Sequence, residues 1–287
     1  PIRLSFLDYS TLDSRRLSCE RELALNRRLA PGVYLEVLPL VKHSDGRLTL
    51  GGEGDPVEWL LVMRRLSAAR LFDEAIRKAE IVPSDIEAIC DALASFYAGA
   101  PRVDCPESEF RSGWLRLIEL IERSLSEPLF ALPADQVRKV NERLLTFLER
   151  DWQLIATRLK DRRIVDGHGD LRPEHIHLGP PVRIIDRLEF DERLRWTDPF
   201  DELSFLALEC GVLGAGWIGE QLLNGLSARL GDRPPQELLC FYRCYRAALR
   251  ARLTIEHLRD PVPRTPERWP RQARAYLQLA MRYALQS

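Results

Sequence analysis

The sequence predicts an α+β fold in which a small β-rich part precedes a large, mainly helical part. Apolar residues alternate over residues 34–42, a Ser-Asp-Gly turn follows at 44–46, and a second apolar run covers 57–63. Beyond residue 66, apolar residues recur every three or four positions, which is the period of an α-helix. We therefore divide the chain into residues 1–66 and 67–287.

Length and composition narrow the functional classes. The chain has 287 residues, 45% of them hydrophobic, and a formal net charge of −1. It carries no basic excess of the kind that binds nucleic acid or a membrane surface, and no apolar run approaches the roughly 20 residues that cross a bilayer. The six cysteines form no Cys-x-x-Cys pair, so we expect reduced thiols in a cytoplasmic protein. The oligomeric state stays open.

Local signals define the β-rich part. We predict, in order, one helix and three strands, over residues 11–29, 34–42, 47–50 and 57–63. The last strand is apolar except for Glu58, and we expect it to be buried on both faces. The glycine-rich loop at 51–55 precedes a strand and not a helix, so it does not indicate a phosphate cradle.

The helical part is interrupted once. We predict helices over residues 67–79, 84–99, 107–125, 134–160, 202–210, 217–230, 235–258 and 268–286. Ser67 is expected to cap the first of these helices, and Ser84 with Glu87 to form a capping box on the second. Between residues 160 and 202 the helical period stops, and a short β and loop segment takes its place.

Two acids lie sixteen positions apart in that segment. Asp170 lies in a polar loop, and Asp186 ends the apolar run 182–186. Phosphoryl transfer needs such a pair, because one carboxylate orients or deprotonates the attacking hydroxyl and the other holds a metal ion against the nucleotide phosphates.

The segment His168–His175 resembles the catalytic loop of the aminoglycoside phosphotransferase family and, more distantly, that of the protein kinases. The run ending at Asp186 is similar to the metal-binding strand of that family, and residues 198–203 resemble the aspartate motif that follows it. Upstream, residues 19–22 resemble the N-lobe helix that carries the ion-pair glutamate, and residues 57–66 resemble the last N-lobe strand and hinge. Together these matches span residues 5–260 and point to a bacterial branch other than the drug-resistance enzymes.

The resemblance implies a protein-kinase-like, two-lobed fold. Residues 1–66 would form a partial N-lobe, and residues 67–287 a helical C-lobe that carries the catalytic loop and the metal strand. It also implies ATP and Mg²⁺ as cofactors, and a small molecule with a hydroxyl group as the phosphoryl acceptor.

By position, the resemblance also assigns roles in the chemistry. Asp170 would accept the proton of the acceptor hydroxyl or orient that hydroxyl. Arg172, where protein kinases carry a lysine, would bind the transferring phosphoryl group. Asp186 would coordinate Mg²⁺. Asp201 would cap its helix or brace the catalytic loop.

Four residues are candidates for the ATP side of the site. The resemblance gives Glu22 an ATP-anchoring lysine as its partner. It places Met63, Arg64 and Leu66 against the adenine through backbone hydrogen bonds and apolar contact. Read alone, Glu22 also fits a solvated helix face, and residues 63–66 also fit a plain strand end.

The sequence departs from the family pattern at two points. His175 stands where the family has an asparagine that binds a second metal ion, and an imidazole suits Mg²⁺ poorly. Either one metal ion suffices, or the metal differs, or His175 only hydrogen-bonds Asp170. The family's glycine loop and lysine are not found ahead of Glu22. We expect them, if present, upstream of Pro1, in a longer chain of which these residues are a piece.

Three functions remain open at this stage. The first is an ATP-dependent phosphotransferase acting on a small molecule. The second is a catalytically impaired kinase-like module that binds a nucleotide or a partner. The third is a metal-dependent hydrolase using His168, Asp170, His175, His177 and Asp186. The third is disfavoured, because His175 and His177 would point to opposite faces of a strand.

Overall fold

The computed structural model describes residues 3–4 and 7–286, and it confirms the α+β class. The strands are β1 (Arg3–Leu4), β2 (Leu7–Asp8), β3 (Tyr34–Lys42), β4 (Leu48–Leu50), β5 (Asp55–Met63), β6 (Val165–Asp166), β7 (Ile176–His177), β8 (Arg183–Ile184) and β9 (Trp196–Thr197). The α-helices are α1 (Leu12–Asn26), α2 (Phe72–Arg77), α3 (Pro83–Ala98), α4 (Glu107–Leu125), α5 (Ala134–Arg150), α6 (Trp152–Lys160), α7 (Pro199–Val212), α8 (Trp217–Leu230), α9 (Gln236–Glu256) and α10 (Arg268–Ala284).

The described residues form two compact units. The site unit comprises the chain up to Ala100, Asp166–Thr197 and Glu209–Leu230, and the helical unit comprises Pro101–Val165, Asp198–Leu208 and the chain from Gly231. The division of the sequence into lobes at residue 66 stays a prediction.

A three-stranded antiparallel sheet lies in the site unit. Its strand order is β4-β3-β5, and α1 packs against β3 and β5. Strand β3 has the predicted bounds, but the expectation that β5 is buried on both faces is wrong. Val57, Leu60 and Met63 are 39%, 41% and 41% exposed. Among the described strands β5 lies at an edge of the sheet, so α1 covers only part of its apolar surface.

The start of the helical region differs from the prediction at two caps. A 3₁₀ turn at Ala68–Arg70 precedes α2, and Ser67 makes no capping hydrogen bond. Helix α3 begins at Pro83, one residue earlier than predicted, and the Val82 N–H donates to the Asp85 carboxylate at 3.1 Å. Asp85 therefore provides the capping interaction that the sequence predicts for Ser84 and Glu87.

The helical unit contains the longest helix of the described chain, α9, with 21 residues. The helix predicted over residues 134–160 is instead two helices, α5 and α6, which meet at Asp151 with φ −114° and ψ 12°. Helix α4 has the predicted bounds. No helix in the described part of the chain is both long and apolar enough to cross a bilayer, and all six cysteines are free thiols.

Buried ion pairs hold the start of α7. Arg158 donates to both oxygens of Asp198 at 2.6 and 3.1 Å, and the same carboxylate accepts from the Phe200 N–H at 2.9 Å. Asp198 therefore caps α7 while it neutralises a buried guanidinium. Asp201, one turn further on, accepts two hydrogen bonds from Arg246 at 2.7 and 2.6 Å. Its expected roles of capping the helix or bracing the catalytic loop stay predictions.

Candidate active site

His168 ties the loop His168–His175 to the strand segment before Asp186. The imidazole is 1% exposed, and its Nε2 lies 2.8 Å from the Ile185 carbonyl. A carbonyl can only accept, so Nε2 carries the proton and Nδ1 accepts from the Asp170 N–H at 3.3 Å. Burial, followed by the nearby His175, lowers the pKa of His168 to about 3. The ring is thus a neutral structural link between the two candidate motifs.

Arg187 clamps the chain just before the loop. Its buried guanidinium donates to the carbonyls of Gly167 and Asp166, at 2.8 and 2.9 Å, and pairs with the Asp166 carboxylate at 2.6 Å. Asn26, at the end of α1, accepts from the Arg187 N–H at 2.8 Å and donates to its carbonyl at 3.3 Å. The sequence interpretation identified neither Asn26 nor Arg187. The only sequence signal was for Arg187, a charged residue that directly follows the apolar run.

Two residues with positive φ shape the site. Gly169 has a φ of +91°, and a Cβ atom there would lie 2.8 Å from Leu188 Cδ1. Glycine is therefore required both for the turn and for the close approach of the chain. Asp186 has a φ of +65°, although it is not glycine. Its N–H donates to the Tyr34 hydroxyl at 3.0 Å, and its side chain is 64% exposed.

Tyr34 was also missed, although its strand was predicted. It begins β3 and is 2% exposed. Burial raises the pKa of its hydroxyl to about 12, so the side chain stays a neutral hydrogen-bonding group. A single aromatic residue at a strand end does not reveal from sequence which backbone amide it meets.

Arg172 lies against Asp170. Its Nε and Nη2 atoms are 3.0 and 2.9 Å from Asp170 Oδ2, and its Nη1 donates to Glu174 at 2.5 Å. Burial raises the pKa of the Asp170 carboxyl, but the Arg172 guanidinium and the two neighbouring histidines outweigh burial, and the net pKa is lowered. Asp170 is therefore ionised at neutral pH.

His175 connects Asp170 with Asp186. Its Nδ1 lies 2.8 Å from the backbone carbonyl of Asp170, and its Nε2 lies 3.2 Å from both Arg172 Nη2 and Asp186 Oδ2. Asp170, His175 and Asp186 each offer a ligand atom, and these atoms lie within 4.8 Å of one another. Two carboxylates and an imidazole at this spacing fit one divalent cation.

The metal cluster argues against the hydrolase. It contains neither of the other two histidines that a hydrolase site would recruit. His168 is bonded to Ile185, and His177, though buried, is not among the clustered groups. The structure thus brings together Asp170, Arg172, His175 and Asp186 as a single group.

On the ATP side of the candidate site, fewer of the predicted contacts are seen among the described residues. Burial, followed by the charges of Glu189 and Asp186, raises the pKa of Glu22 to about 7. Within residues 3–4 and 7–286, no lysine or arginine forms an ion pair with Glu22. The structure therefore places Glu22 near Asp186, but its lysine partner stays a prediction.

At the end of β5, Leu66 packs against the small core cluster of Ala30, Val33 and Tyr34. The Arg64 N–H donates to the Val33 carbonyl at 2.8 Å, and Met63 is partly exposed. Leu66 thus lies beside the cluster that contains Tyr34. Contact of Met63, Arg64 and Leu66 with adenine stays a prediction.

Comparison with known proteins gives relatives in sequence and in structure. No family model matches the sequence. Uncharacterized proteins of two Mycobacterium tuberculosis strains and of Mycobacterium bovis are 32% identical over 257 residues, which are 88% of this chain and 50% of each relative. The chain thus spans about half the length of the curated relatives that it matches.

Solved structures give the fold. A Ralstonia eutropha protein assigned to the aminoglycoside phosphotransferases superposes with a TM-score of 0.55 at 15% identity, over 94% of this chain and 84% of that one. Aminoglycoside 2'-phosphotransferase-IIIa, solved with GDP, superposes with a TM-score of 0.50 at 17% identity, over 95% and 84%. The resemblance inferred from the motifs is thereby confirmed at the level of architecture, and the chain has the kinase-like fold of the aminoglycoside phosphotransferases.

Proposed function

We propose that this chain is a phosphotransferase that moves the γ-phosphoryl group of ATP to a hydroxyl of a small molecule. One observation carries the proposal. In a phosphotransferase fold, the ionised Asp170 lies within 4.8 Å of ligand atoms from His175 and Asp186. This is the combination of a base and a metal centre that phosphoryl transfer requires.

Asp170 is the group that would handle the proton. The acceptor oxygen forms a bond to the γ-phosphorus, the bond from that phosphorus to the β,γ-bridging oxygen breaks, and ADP leaves with the electron pair. The hydroxyl proton passes to the Asp170 carboxylate, which its depressed pKa keeps ionised. The hydrogen bond from the Asp170 N–H to buried His168 holds the backbone from which that carboxylate projects.

Arg172 and Asp186 would offset the negative charge of the phosphoryl group and of the ATP phosphates. Arg172 lies on the Asp170 carboxylate, so its guanidinium is beside the place where the acceptor oxygen and the phosphoryl group meet. A divalent ion held by Asp186, with Asp170 and His175, would offset the negative charge of the ATP phosphates. The Tyr34 hydroxyl, by holding the Asp186 N–H, positions that ligand.

A second candidate is a kinase-like module that binds a nucleotide or a partner without turnover. The environment of Glu22 favours it. Burial and two acidic neighbours raise the Glu22 pKa, and no described cation pairs with the carboxylate. Without a cation at this position, the α- and β-phosphates of ATP would lack their usual anchor.

Phosphoryl transfer from γ-³²P-labelled ATP, measured across a panel of hydroxyl-bearing metabolites and aminoglycosides, separates the two candidates. We expect a labelled acceptor with the wild-type chain and none with Asp170→Asn. In calorimetry, Asp186→Asn should lose metal-dependent nucleotide binding, whereas Asp135→Asn, at an exposed helix position outside the site, should keep it. Nucleotide binding with no labelled product from any acceptor would favour the second candidate. Unchanged binding by Asp186→Asn would refute the metal assignment.

A further inference from the structure

We infer that the cation site formed by Asp170, His175 and Asp186 takes a first-row transition-metal ion in preference to Mg²⁺, with His175 Nε2 as a direct ligand. The inference rests on the proposed function for the role of the ion. The preference for such an ion is argued from three features of His175: the tautomer of the ring, the distance from the ring to Asp186, and the fixed position of the ring.

The tautomer of His175 is fixed by the protein. Because the Asp170 carbonyl can only accept, the 2.8 Å contact to Nδ1 requires a proton on Nδ1. In the neutral ring the lone pair is then on Nε2, which faces Arg172 and Asp186. A histidine that donates one ring N–H to a backbone carbonyl and presents the other nitrogen has the arrangement found in metal-binding histidines.

The spacing also suits a shared ion. Two ligand atoms at right angles and about 2.1 Å from an octahedral ion lie about 3.0 Å apart. The observed distance between His175 Nε2 and Asp186 Oδ2 is 3.2 Å. Both atoms could therefore bind one ion with only small side-chain adjustments.

The ring is held in place. The His175 side chain is 8% exposed, and the ring stacks with His168 at a centroid distance of 5.9 Å and an angle of 23°. The imidazole nitrogen is consequently held beside Asp186, and the ring cannot move away by a simple rotation of an exposed side chain.

The chemical type of the ligand atoms then determines which metal ion the site prefers. Mg²⁺ strongly prefers oxygen ligands and gains little from imidazole, whereas the later divalent ions bind imidazole readily. With the amide oxygen that His175 replaces, the site would be all oxygen. With His175, the set of two carboxylates and one imidazole favours a transition-metal ion. Mn²⁺ is a stringent probe, because it is the weakest binder in the first-row series.

The test is Mn²⁺ binding to the whole chain, followed by electron paramagnetic resonance of the free ion, with Mg²⁺ as the competitor. We expect Mn²⁺ to bind at least about tenfold more tightly than Mg²⁺, and His175→Asn to reduce that ratio by about tenfold while changing Mg²⁺ affinity little. His257→Asn, which alters an exposed histidine far along the sequence, is the matched control and should keep the wild-type ratio.

A second measurement needs no variant and therefore survives a His175→Asn chain that fails to fold. Pulsed resonance of bound Mn²⁺ should show coupling to a ¹⁴N nucleus, and this coupling should change when histidine is labelled with ¹⁵N. Equal affinities for the two ions, or Mn²⁺ bound without nitrogen coupling, would overturn the inference. Neither readout involves an acceptor, so nitrogen-coupled Mn²⁺ in a chain that phosphorylates nothing would refute the proposed function alone.

Discussion

The loop His168–His175 and the surroundings of Glu22 lie in the same unit, but the negative charges of the two regions are balanced differently. In the loop, Asp170 accepts two contacts from Arg172 at about 3 Å, and Arg172 also pairs with Glu174. Around Glu22, the charges that raise its pKa are those of Glu189 and Asp186. The loop is thus balanced by residues that are close in sequence, whereas the acidic region needs a cation that comes from elsewhere, either a metal ion or a basic side chain.

Removing the candidate base, Asp170, should have the largest effect on the rate of phosphoryl transfer. In Asp170→Asn the amide cannot take the hydroxyl proton, so kcat should fall by about 10³-fold, within the range known for general bases. Steady-state kinetics with the acceptor found in the panel measure this effect. Asp135→Asn, on an exposed helix face, is the control and should retain full activity. A decrease of less than about tenfold would mean that the loop does not hold the base.

Arg172→Ala tests the balanced charges directly. We expect kcat to fall by about 10²-fold with KM nearly unchanged, because a guanidinium on the phosphoryl group stabilises the transition state most. Removing the guanidinium also removes the hydrogen bonds that hold the Asp170 carboxylate. Arg172→Lys should recover part of the activity, since it restores the charge but not the two-atom contact. An increase in KM alone would contradict this role.

Asn26→Ala would break the link between the two regions. Asn26 is fully buried at the end of the helix that carries Glu22, and it holds both backbone groups of Arg187. Removing the amide leaves those groups without this partner, which should cost about 1–3 kcal/mol in the free energy of unfolding. Urea denaturation measures the change. Gln221→Ala, on an exposed helix position, should shift it by less than about 0.5 kcal/mol.

Glu22→Gln should change how stability depends on pH. The folded chain holds the Glu22 proton up to a pKa of about 7, whereas the ordinary value is 4.5. Between these values the unfolded chain releases the proton first, so the stability of the wild type falls as pH rises. Relative to wild type, Glu22→Gln should gain about 1–2 kcal/mol between pH 5 and pH 8, after allowance for solvent screening.

The matched control for this pH experiment is Glu20→Gln, whose side chain on the same helix is 49% exposed. This variant removes an exposed carboxylate from the same helix and should not reproduce the pH-dependent gain of Glu22→Gln. If the Glu22 and Glu20 variants follow the same curve, then Glu22 is a solvated acid and the contrast between the two regions disappears.

Much of this fold could be predicted because the local signals are strong. Strand β3 alternates over its whole length and has the predicted bounds. The break between α5 and α6 was missed, because Asp151 interrupts the helix without a glycine or proline and the apolar residues keep their helical spacing across it. The exposure of β5 depends on what packs beside it, which its own sequence does not contain.

The residues of the candidate site also fall into those that the sequence predicts and those that it does not. Asp170, Arg172, His175 and Asp186 were predicted, because the motif that carries them is contiguous or nearly so. Tyr34 and Asn26 act on backbone groups more than 150 positions away, through side chains with many common structural roles. Such contacts leave no spacing pattern of residues in the sequence, and they are seen only in the folded structure.

The left-handed backbone of Asp186 has a consequence for the residues that position 186 can accept. Asparagine and glycine adopt a φ near +65° at little cost, whereas β-branched residues do so only with strain. A library of all substitutions at this position, sorted first for folded protein and then for phosphoryl transfer, should therefore give two different outcomes. Asparagine and glycine would persist through the first sort, and aspartate alone would remain after the second.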